Sequence, residues 1–542
     1  MFGLPGLLPP AAKSKLVLEQ VAAALQAGDR GDANRLLRKH LLEQPLDAAA
    51  LSKLAELVIG QHSVEEGTML LRRAAGADAT FERRLALISH LHRYVGAEPT
   101  LQEIDKLAPA QRDCLDVQAI EAACWGALGD HDRQIAIYDK LTRVAPRNAA
   151  LWKTMGDALK TVGRTDEAIA AVRKAIEAKP SFGEAWWTLS NFKSHKFDER
   201  DIATMRKRLK ANVSADDALH FHFALGSAYG QRGDFANSFR HFEAGNSARR
   251  KGLRPESMRI TGLVDRAIAT CTPDLFERHK NAGHPGVGPI FVVGLHRSGS
   301  TLVEQILASH PLIEGTAELA VMQQIWERLV RLAALQDRGP FQELLELGDA
   351  GIRAIGEEYI ERTRAFRKTD RPYFVDKLPA NWMHLGLIRL ALPNAKIIEA
   401  RRHPMACGFS NFSQNYASGI RFSYSLESIG HFYRDYVRFM DHMEEVQTGT
   451  VHRVLNERLI DDPEGEVRRM LDFIGVPFDP ACLRFDRNTR PIQTPSAEQV
   501  RRPINSDGVS YWRNYEAWLG PLKEALGRAL HSWDKPPLRR QQ

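Results

Sequence analysis

Cysteine, long apolar runs and a targeting segment are scarce or absent in this sequence. The five cysteines in 542 residues are scattered and lack CxxC spacing, so neither a disulfide framework nor a zinc site is indicated. No apolar run approaches the ~20 residues that a membrane helix needs. The start, MFGLPGLLPPAAKSK, lacks the basic beginning and long apolar core of a signal peptide. We therefore expect a cytoplasmic protein with no membrane span.

The size and composition of the chain indicate a globular protein with more than one core. A chain of 542 residues is too long for one ordinary hydrophobic core. Hydrophobic residues make up 44% and charged residues 26%, with a net charge of +7. This charge suits an anionic ligand but does not by itself imply nucleic acid, and we expect no nucleic-acid partner.

Residues 14–250 repeat with a fixed period and show no convincing strand pattern. Small residues at fixed positions let two helices approach, large apolar residues fill the groove to the next pair, and proline ends the second helix. The matching positions are Trp152, Gly156, Leu159, Ala168, Val172, Ala175 and Pro180, in an earlier copy Ala122, Trp125, Tyr138, Leu141 and Pro146, and in a later copy Gly226, Tyr229, Ser238 and Phe242. The pattern resembles the tetratricopeptide repeat family. This implies an all-α solenoid of about six or seven units, and a concave surface that binds a protein partner or a substrate.

The pattern changes after residue 250. Residues 251–287 are expected to be a linker with a short helix, and residues 288–535 a second domain. Short β-rich runs alternate there with long amphipathic segments, which predicts a parallel sheet with crossover helices. The candidate strands are PIFVVGL, RPYFVDKL, AKIIEAR and HRVLNERL. Ligands of such sheets bind beyond the carboxyl ends of the strands.

The first of these strands leads into GLHRSGST, a loop rich in glycine and hydroxyl side chains. Glycines permit a tight turn whose backbone N–H groups converge on an anion at a helix N-terminus. The Gly-Lys-Ser/Thr ending of a nucleoside triphosphatase loop is missing, and Arg297 supplies a positive charge instead. The candidate anion-binding residues are Arg297, Ser298, Gly299, Ser300 and Thr301.

This loop resembles the 5′-phosphosulfate-binding loop of sulfotransferases that use 3′-phosphoadenosine 5′-phosphosulfate. The likeness extends over roughly Pro289 to Ala525, and is greatest to bacterial proteins that join tetratricopeptide repeats to such a domain and to the tyrosylprotein sulfotransferases. The segment IIEARRHPMACGFSNF also matches the family. There the resemblance implies that Arg402 and Ser410 bind the 3′-phosphate. A guanidinium suits this role because it can donate to two phosphate oxygens at once.

The resemblance also assigns the catalytic groups. Glu318, in EGTAELAVM, lies where the family has its catalytic base, which removes the proton of the acceptor hydroxyl. Lys377, in YFVDKLPANW, and Arg297 lie where cations stabilise the charge that develops on the donor. His310, His384 and His403 are weaker candidates for the base. The resemblance implies no metal.

A distal segment, TPSAEQVRRPINSDGVSYWRNYE, corresponds to the family's loop over the nucleotide. Ser496 aligns with an active-site serine, and Arg501 and Trp512 keep the pattern of donor contacts. Tyr511 stands where tyrosylprotein sulfotransferases have a lysine, so Arg501, Arg502 or Arg513 would have to compensate.

Two further positions depart from the family. His296 replaces the usual proline before the loop arginine, and either loosens the turn or adds a titratable donor near the sulfonate. Asn456 replaces a tyrosine that is usually an accessory donor contact.

Together these features predict an N-terminal all-α tetratricopeptide-repeat solenoid and a C-terminal α/β, P-loop-like sulfotransferase domain with a central parallel sheet. The expected reaction transfers a sulfuryl group to a hydroxyl of a peptide, protein or glycan. A homodimer is one candidate assembly, because related sulfotransferases often dimerise. The alternatives are a kinase-like enzyme that uses ATP and a non-catalytic repeat scaffold with a relic nucleotide-binding domain.

Overall fold

The computed structural model describes residues 9–60, 63–211, 213–254, 259–416, 420–494 and 496–535. The chain divides into two compact units, Met1–Ala158 and Leu159–Gln542. The expected boundaries of a repeat array, a linker and a second domain stay a prediction, and parts of each lie outside the described residues, among them residues 255–258 of the linker. None of the described helices has both the length and the apolarity needed to cross a membrane.

In the described residues before 288, all elements of regular secondary structure are helices. They are α1 (Pro10–Gln26), α2 (Arg30–Glu43), α3 (Ala48–Ile59), α4 (Val64–Ala77), α5 (Phe81–Tyr94), α6 (Ala97–Ile104), α7 (Pro109–Arg112), α8 (Leu115–Ala127), α9 (His131–Val144), α10 (Ala149–Thr161), α11 (Thr165–Ala178), α12 (Gly183–Ser190), α13 (Glu199–Lys210), α14 (Ala215–Gln231), α15 (Phe235–Arg250), α16 (Thr261–Thr270) and α17 (Pro273–Arg278). The last two show that the expected linker contains two helices rather than one.

A Gly-Asp pair forms the turn inside several of the helical repeats. Gly129 and Gly233 each have φ 78°, a left-handed conformation that only glycine adopts at little cost. The aspartates that follow, Asp130 and Asp234, cap α9 and α15 by accepting hydrogen bonds from backbone N–H groups. Such caps satisfy donors that a helix start leaves free, so this short turn fixes where the second helix of each pair begins.

The small and aliphatic repeat positions predicted from the sequence are buried, whereas Trp125 and Trp152 are half-buried and Pro146 is exposed. Ala122, Ala168 and Val172 have no exposed surface. Gly226 faces the ring of Phe242, since a Cβ built on this glycine would lie 2.6 Å from the ring. The small and large residues of the pattern therefore meet across a helix pair, as expected for tetratricopeptide repeats.

The remaining elements form an α/β domain. Its strands are β1 (Pro289–Gly294), β2 (Ile313–Ala317), β3 (Tyr373–Asp376), β4 (Lys396–Arg401) and β5 (Val451–Leu455). Its helices are α18 (Ser300–Ala308), α19 (Val321–Leu335), α20 (Pro340–Glu346), α21 (Asp349–Thr363), α22 (Leu385–Ala391), α23 (Pro404–Phe412), α24 (Leu426–Val446), α25 (Asn456–Asp461), α26 (Pro463–Ile474), α27 (Asp507–Ser510), α28 (Gly520–Leu526) and α29 (Ala529–Ser532). Short 3₁₀ helices include Pro379–His384, Gln499–Arg501 and Tyr511–Trp518.

All five strands are parallel, in the order β2-β3-β1-β4-β5. The predicted parallel sheet is therefore confirmed, with one strand that the sequence pattern missed. Strand β2 lies at the edge and reads IEGTA, which has no apolar run. Because β1 has β3 on one side and β4 on the other, its carboxyl end lies where the chain changes direction across the sheet, the place at which such folds bind ligands.

Both faces of the sheet are covered, which explains the continuous apolar run of β1. Ile290 and Val292 point into a core with α18 and α26. Phe291 and Val293 point into a larger core on the other face. That second core includes Trp187, Leu219, Phe223 and Phe242 from α12, α14 and α15. The last helical repeats therefore share a hydrophobic core with the sheet.

Polar and aromatic contacts continue this shared packing. The ring of Phe239 stacks on Phe412 and on Trp518, with centroids 5.5 Å apart in both cases. Ser238 bonds the hydroxyl of Tyr515 at 2.9 Å, and Asn246 donates to the carbonyl of Phe412 at 2.8 Å. This carbonyl ends α23, so a repeat side chain satisfies an acceptor that the helix itself leaves free.

Replacing Asn246 by alanine is expected to destabilise the protein by about 1–3 kcal/mol, because the buried carbonyl of Phe412 loses its donor. Asn246 has no exposed surface, so water cannot readily replace the amide. Chemical denaturation followed by fluorescence measures the loss, and Asn514→Ala, at an exposed asparagine of the same unit, is the matched control. Equal midpoints for the two variants would contradict the proposed role of this contact.

Candidate anion-binding and catalytic site

The loop after β1 has a conformation that only particular residues tolerate. Gly294 has φ 149° and Gly299 has φ 98°, and a Cβ on Gly299 would lie 2.5 Å from Oδ1 of Asn456. Arg297 has φ 68°, one of two positive values among the described non-glycine residues. Strained backbone of this kind persists where surrounding contacts enforce it, often at binding sites. The loop ends at the N-terminus of α18, whose N–H groups and dipole favour an anion.

The guanidinium of Arg297 connects three segments that are far apart in sequence. Its Nε donates to Oγ of Ser410 at 3.0 Å, and its Nη1 donates to Oγ of Ser496 at 2.9 Å. The structure thus brings together the loop, α23 and the distal segment, as the predicted site requires. Thr301 and Thr494 add a hydroxyl pair at 3.3 Å.

Arg402 lies beside this loop with part of its hydrogen-bonding capacity unused. Its Nη1 donates to the carbonyl of Arg297 at 3.2 Å and its Nη2 donates to the carbonyl of Gly508. Its buried Nε, and the buried hydroxyl of Ser298, have no hydrogen-bond partner among the described residues. Buried donors are normally satisfied, so two such donors next to a helix N-terminus fit a site that receives an anionic ligand.

The neighbouring Arg401 has a structural role. It has no exposed surface and its Nη2 lies 2.6 Å from Glu399, which Arg453 also contacts at 2.9 Å. Burial would raise the pKa of Glu399, but Arg401 and Arg453 outweigh it and lower the pKa to about 2. The two adjacent arginines are therefore not a solvated basic corner: one anchors the strand and the other borders the loop.

Lys377 lies between two carboxylates at the carboxyl end of β3. Its Nζ donates to Oε1 of Glu318 and lies 3.7 Å from Oε2 of Glu304. Glu304 also contacts Arg490 at 3.0 Å. The side chain of Lys377 is 2% exposed and that of Glu318 is 45% exposed. The lysine is therefore buried, whereas the carboxylate that it contacts is accessible to solvent.

One cavity of about 640 Å³ contains most of the predicted residues. Those that line it are Arg297, Gly299, Ser300, Thr301, Glu318, Arg402, Ser410, Ser496 and Trp512. Ser298 and Lys377 lie behind this lining, and Lys377 acts on the cavity through Glu318. Among the described side chains, no three His, Cys, Asp or Glu residues form a metal-binding group; metal-free chemistry stays a prediction.

Two of the three histidines considered as rival bases contact residues outside the cavity lining, and the third stacks on a lining residue. His310 bonds the carbonyl of Pro477 at 2.9 Å. His384 packs against Trp326, and burial lowers its pKa to about 4. His403 caps α23 and stacks on Trp512, with centroids 5.4 Å apart. These contacts favour structural roles for the three histidines. Glu318 lines the cavity together with Glu498 and Asp507, and it is paired with Lys377.

The structure places the distal arginines differently from one another. Arg501 donates to the carbonyls of Thr161 and Arg490 at 3.0 and 3.1 Å and lies outside the cavity lining, so it braces the segment rather than facing a ligand. Arg502 lines the cavity, and Arg513 lies over the ring of Trp512. Tyr511 contacts the hydroxyl of Tyr515 at 3.2 Å.

Sequence patterns missed the side chains that the helical repeats contribute to the cavity. Asn191, Lys193 and Lys196, in the loop after α12, line it together with residues of α14. The packing positions of a repeat give no signal for such residues, because they lie in a loop that the repeat pattern leaves variable. Only the shared core of the repeats and the sheet brings them to the site.

His296 is uncharged at neutral pH. Burial is the largest effect on its ring, and the positive charges of Lys377 and Arg297 add to it; together they lower its pKa to about 4. Its ring packs edge-on against Tyr416 and its carbonyl accepts from Asn411 at 2.8 Å. The histidine thus anchors the loop to α23, and it does not add a charged donor.

We expect the ring of His296 to stay neutral as the pH falls from 6.5 towards about 4, because the folded protein disfavours the charged form. Since its pKa is lower in the folded state, its contribution to stability is present above pH 6.5 and is lost across this range. NMR of histidine-labelled protein measures the titration, with His296→Gln identifying the signal. A midpoint near 6.5 would contradict burial of a neutral ring.

The geometry defines a phosphate-loop α/β domain whose anion site is built with arginines and hydroxyls. Residues 289–480 match the sequence profile of the sulfotransferase family, and residues 149–182 match a tetratricopeptide repeat. The resemblance of the sequence to tetratricopeptide repeats and to sulfotransferases is therefore confirmed for these two segments.

Similar proteins come from bacteria and animals. An uncharacterized protein of Aquifex aeolicus is 28% identical over 404 residues, which cover 73% of this chain and 53% of that protein; the chain thus spans about half the length of that relative. The Drosophila melanogaster protein-tyrosine sulfotransferase is 27% identical, over 41% of this chain and 46% of its own length. Among solved structures, the sulfotransferase domain from the Synechococcus PCC 7002 olefin synthase is 25% identical with a TM-score of 0.31, covering 42% of this chain and 89% of that domain.

Proposed function

We propose that the protein transfers a sulfuryl group from 3′-phosphoadenosine 5′-phosphosulfate to an acceptor hydroxyl. The observation that carries this proposal is the position of Arg297, whose guanidinium joins the loop to Ser410 and Ser496 beside the paired Lys377 and Glu318. A cationic anchor, hydroxyl donors and a carboxylate thus border one cavity. Sulfuryl transfer needs these groups at one place, because it moves negative charge while a proton leaves the acceptor.

The two phosphate ends of the donor bind to different parts of the site. Backbone N–H groups and hydroxyls of residues 298–301 hold the 5′-phosphosulfate at the start of α18. Arg402, through its unpaired buried Nε, and Ser410 hold the 3′-phosphate. Arg297 contacts Ser410 at 3.0 Å, so it lies between the residues that hold the 5′-phosphosulfate and those that hold the 3′-phosphate, and it links the two groups. Trp512 lines the same cavity.

The chemical step uses Glu318 and the two cations. Glu318 removes the proton of the acceptor hydroxyl, whose oxygen bonds to sulfur while the bond from sulfur to the bridging phosphate oxygen breaks. The bond electrons stay on that oxygen, and adenosine 3′,5′-bisphosphate leaves. Lys377 and Arg297 stabilise the charge on it, and Ser496 adds a hydroxyl donor. Preorganised cations favour the transition state over the ground state.

A peptide tyrosine is the first acceptor to test, because relatives named protein-tyrosine sulfotransferase align with 41% of this chain or more. A glycan hydroxyl is the second. The helical repeats bind the acceptor or a protein partner, as arrays of this kind commonly present a concave surface. A homodimer and a cytoplasmic location belong to the same proposal.

Transfer of radiolabelled sulfate from the donor to a peptide library and to a cell extract tests the activity. Glu318→Gln is expected to lower turnover about 100- to 10,000-fold, the contribution of a general base, while it leaves binding of adenosine 3′,5′-bisphosphate nearly unchanged. Arg402→Ala is expected to weaken that binding about 10- to 100-fold, since a charged hydrogen bond is lost.

The matched controls are Glu357→Gln and Arg331→Ala, at exposed positions of the same domain, and both should behave like the unaltered protein. Tighter binding of ATP with magnesium than of the bisphosphate would overturn the assignment in favour of a kinase-like enzyme. Tight bisphosphate binding without any label transfer would favour a non-catalytic scaffold.

A further inference from the structure

The cavity at the phosphate loop has a wall that comes from the helical repeats. Lys193 and Lys196, in the loop between α12 and α13, line it together with Arg297, Arg402 and Arg502. These residues belong to one compact unit, Leu159–Gln542. A ligand in this cavity therefore meets cations from the repeats as well as from the α/β domain.

A buried carboxylate fixes the repeat loop against the distal segment. Glu498 is 7% exposed, and its two oxygens accept hydrogen bonds from the backbone N–H groups of Lys193 and Ser194, at 2.6 and 2.9 Å. Arg502 donates to the same carboxylate at 2.5 Å. Glu498 lies two residues after Ser496, which accepts from Arg297. The backbone of Lys193 is thus held at a fixed place near the loop arginine.

The distal segment has no basic residue at position 511, where the resemblance to tyrosylprotein sulfotransferases leads one to expect a lysine. Tyr511 stands there and packs against Tyr515 and Phe409, while Arg501 is directed to carbonyl groups of Thr161 and Arg490. Lys193 lines the same cavity from the repeat loop, and the charges of Arg297, Lys160 and Glu498 act on it.

We propose that Lys193, carried by the helical repeats, is a donor-binding residue that contacts an anionic phosphate oxygen of the donor in the cavity. The inference rests on the proposed function. Glu498 and Lys160 position it: Lys160 donates to the carbonyl of Asn191 at 3.4 Å and lies over the ring of Phe192. The repeats thereby supply a side chain to the site, in addition to any surface for partners.

The electrostatics of Lys193 agree with this geometry. Desolvation by the surrounding cavity walls is the largest cause of a lowered pKa for Lys193, and the positive charges of Arg297 and Lys160 add to it. The pKa falls to about 8, although the charge of Glu498 opposes the change. The side chain is exposed to the solvent that fills the cavity, which screens part of this effect. An arriving anion restores the full positive charge, so binding at mildly alkaline pH takes up a proton.

Calorimetric titration of the full chain with adenosine 3′,5′-bisphosphate tests the inference, in buffers of different ionisation enthalpy at pH 8. Lys193→Met is expected to weaken binding about tenfold, the loss of one charged contact, and to abolish the proton uptake. Lys193→Arg should keep the affinity but lose the uptake, because arginine stays charged. If Lys193 had only a structural role, Lys193→Arg would not lose the proton uptake while it keeps the affinity.

Lys207→Met, at an exposed lysine on α13, is the matched control, and thermal unfolding confirms that each variant is folded. Unchanged affinity and proton uptake in Lys193→Met would overturn the inference alone, because binding by the unaltered protein would still support the proposed function. An unchanged bisphosphate affinity with a raised acceptor KM would assign Lys193 to the acceptor and also overturn it. If the unaltered protein does not bind the bisphosphate, both proposals fail.

Discussion

The site depends on one arginine held in an unfavourable backbone conformation. Arg297 has φ 68°, which costs about 1–3 kcal/mol for a residue with a side chain. Two hydroxyl contacts, to Ser410 and Ser496, and the hydrogen bond from Arg402 to its carbonyl hold it there. The helix after β4 and the distal segment therefore converge on the loop through this residue. Loss of the arginine side chain would remove the loop's hydrogen bonds to Ser410 on the helix after β4 and to Ser496 in the distal segment.

A second constraint is the charge balance around this arginine. The cations around the cavity repel one another, and neighbouring carboxylates offset this repulsion. Glu304 and Glu318 flank Lys377, and Glu498 faces Lys193 and Arg502. Glu318 differs from the other two because 45% of its side chain is exposed. A carboxylate that is both exposed and paired with a lysine can receive a proton when the lysine turns to a developing negative charge.

The sequence predicted the parts of this site that follow strands with strong apolar patterns. Strands β1, β3, β4 and β5 were expected, and the residues after three of them, Arg297, Lys377 and Arg402, lie together because parallel strands end at one edge. Strand β2 was missed, since its carboxylate Glu314 is buried by bonds to backbone N–H groups of Lys368 and Thr369. A strand that buries a charged side chain lacks the apolar pattern from which strands are predicted.

The direction of side chains outside regular elements was less predictable. Arg501 and Arg502 are neighbours in sequence, yet one braces backbone carbonyls and the other lines the cavity. Lys193 lies in a loop between repeat helices, where the repeat pattern constrains packing positions only. Its place depends on the shared core of α12, α14 and α15 with the sheet, a long-range contact that local sequence cannot specify.

Because of this shared core, the last helical repeats are packed as part of the α/β domain. In a separate docking array, each repeat would contact only its neighbours, and its substitutions would leave the catalytic cavity unaffected. Here Phe239 stacks on Phe412 at the end of α23, and α23 carries Ser410, the partner of Arg297. A change in the packing of α15 therefore reaches the loop arginine through two direct contacts. The last repeats thus help to shape the candidate anion site.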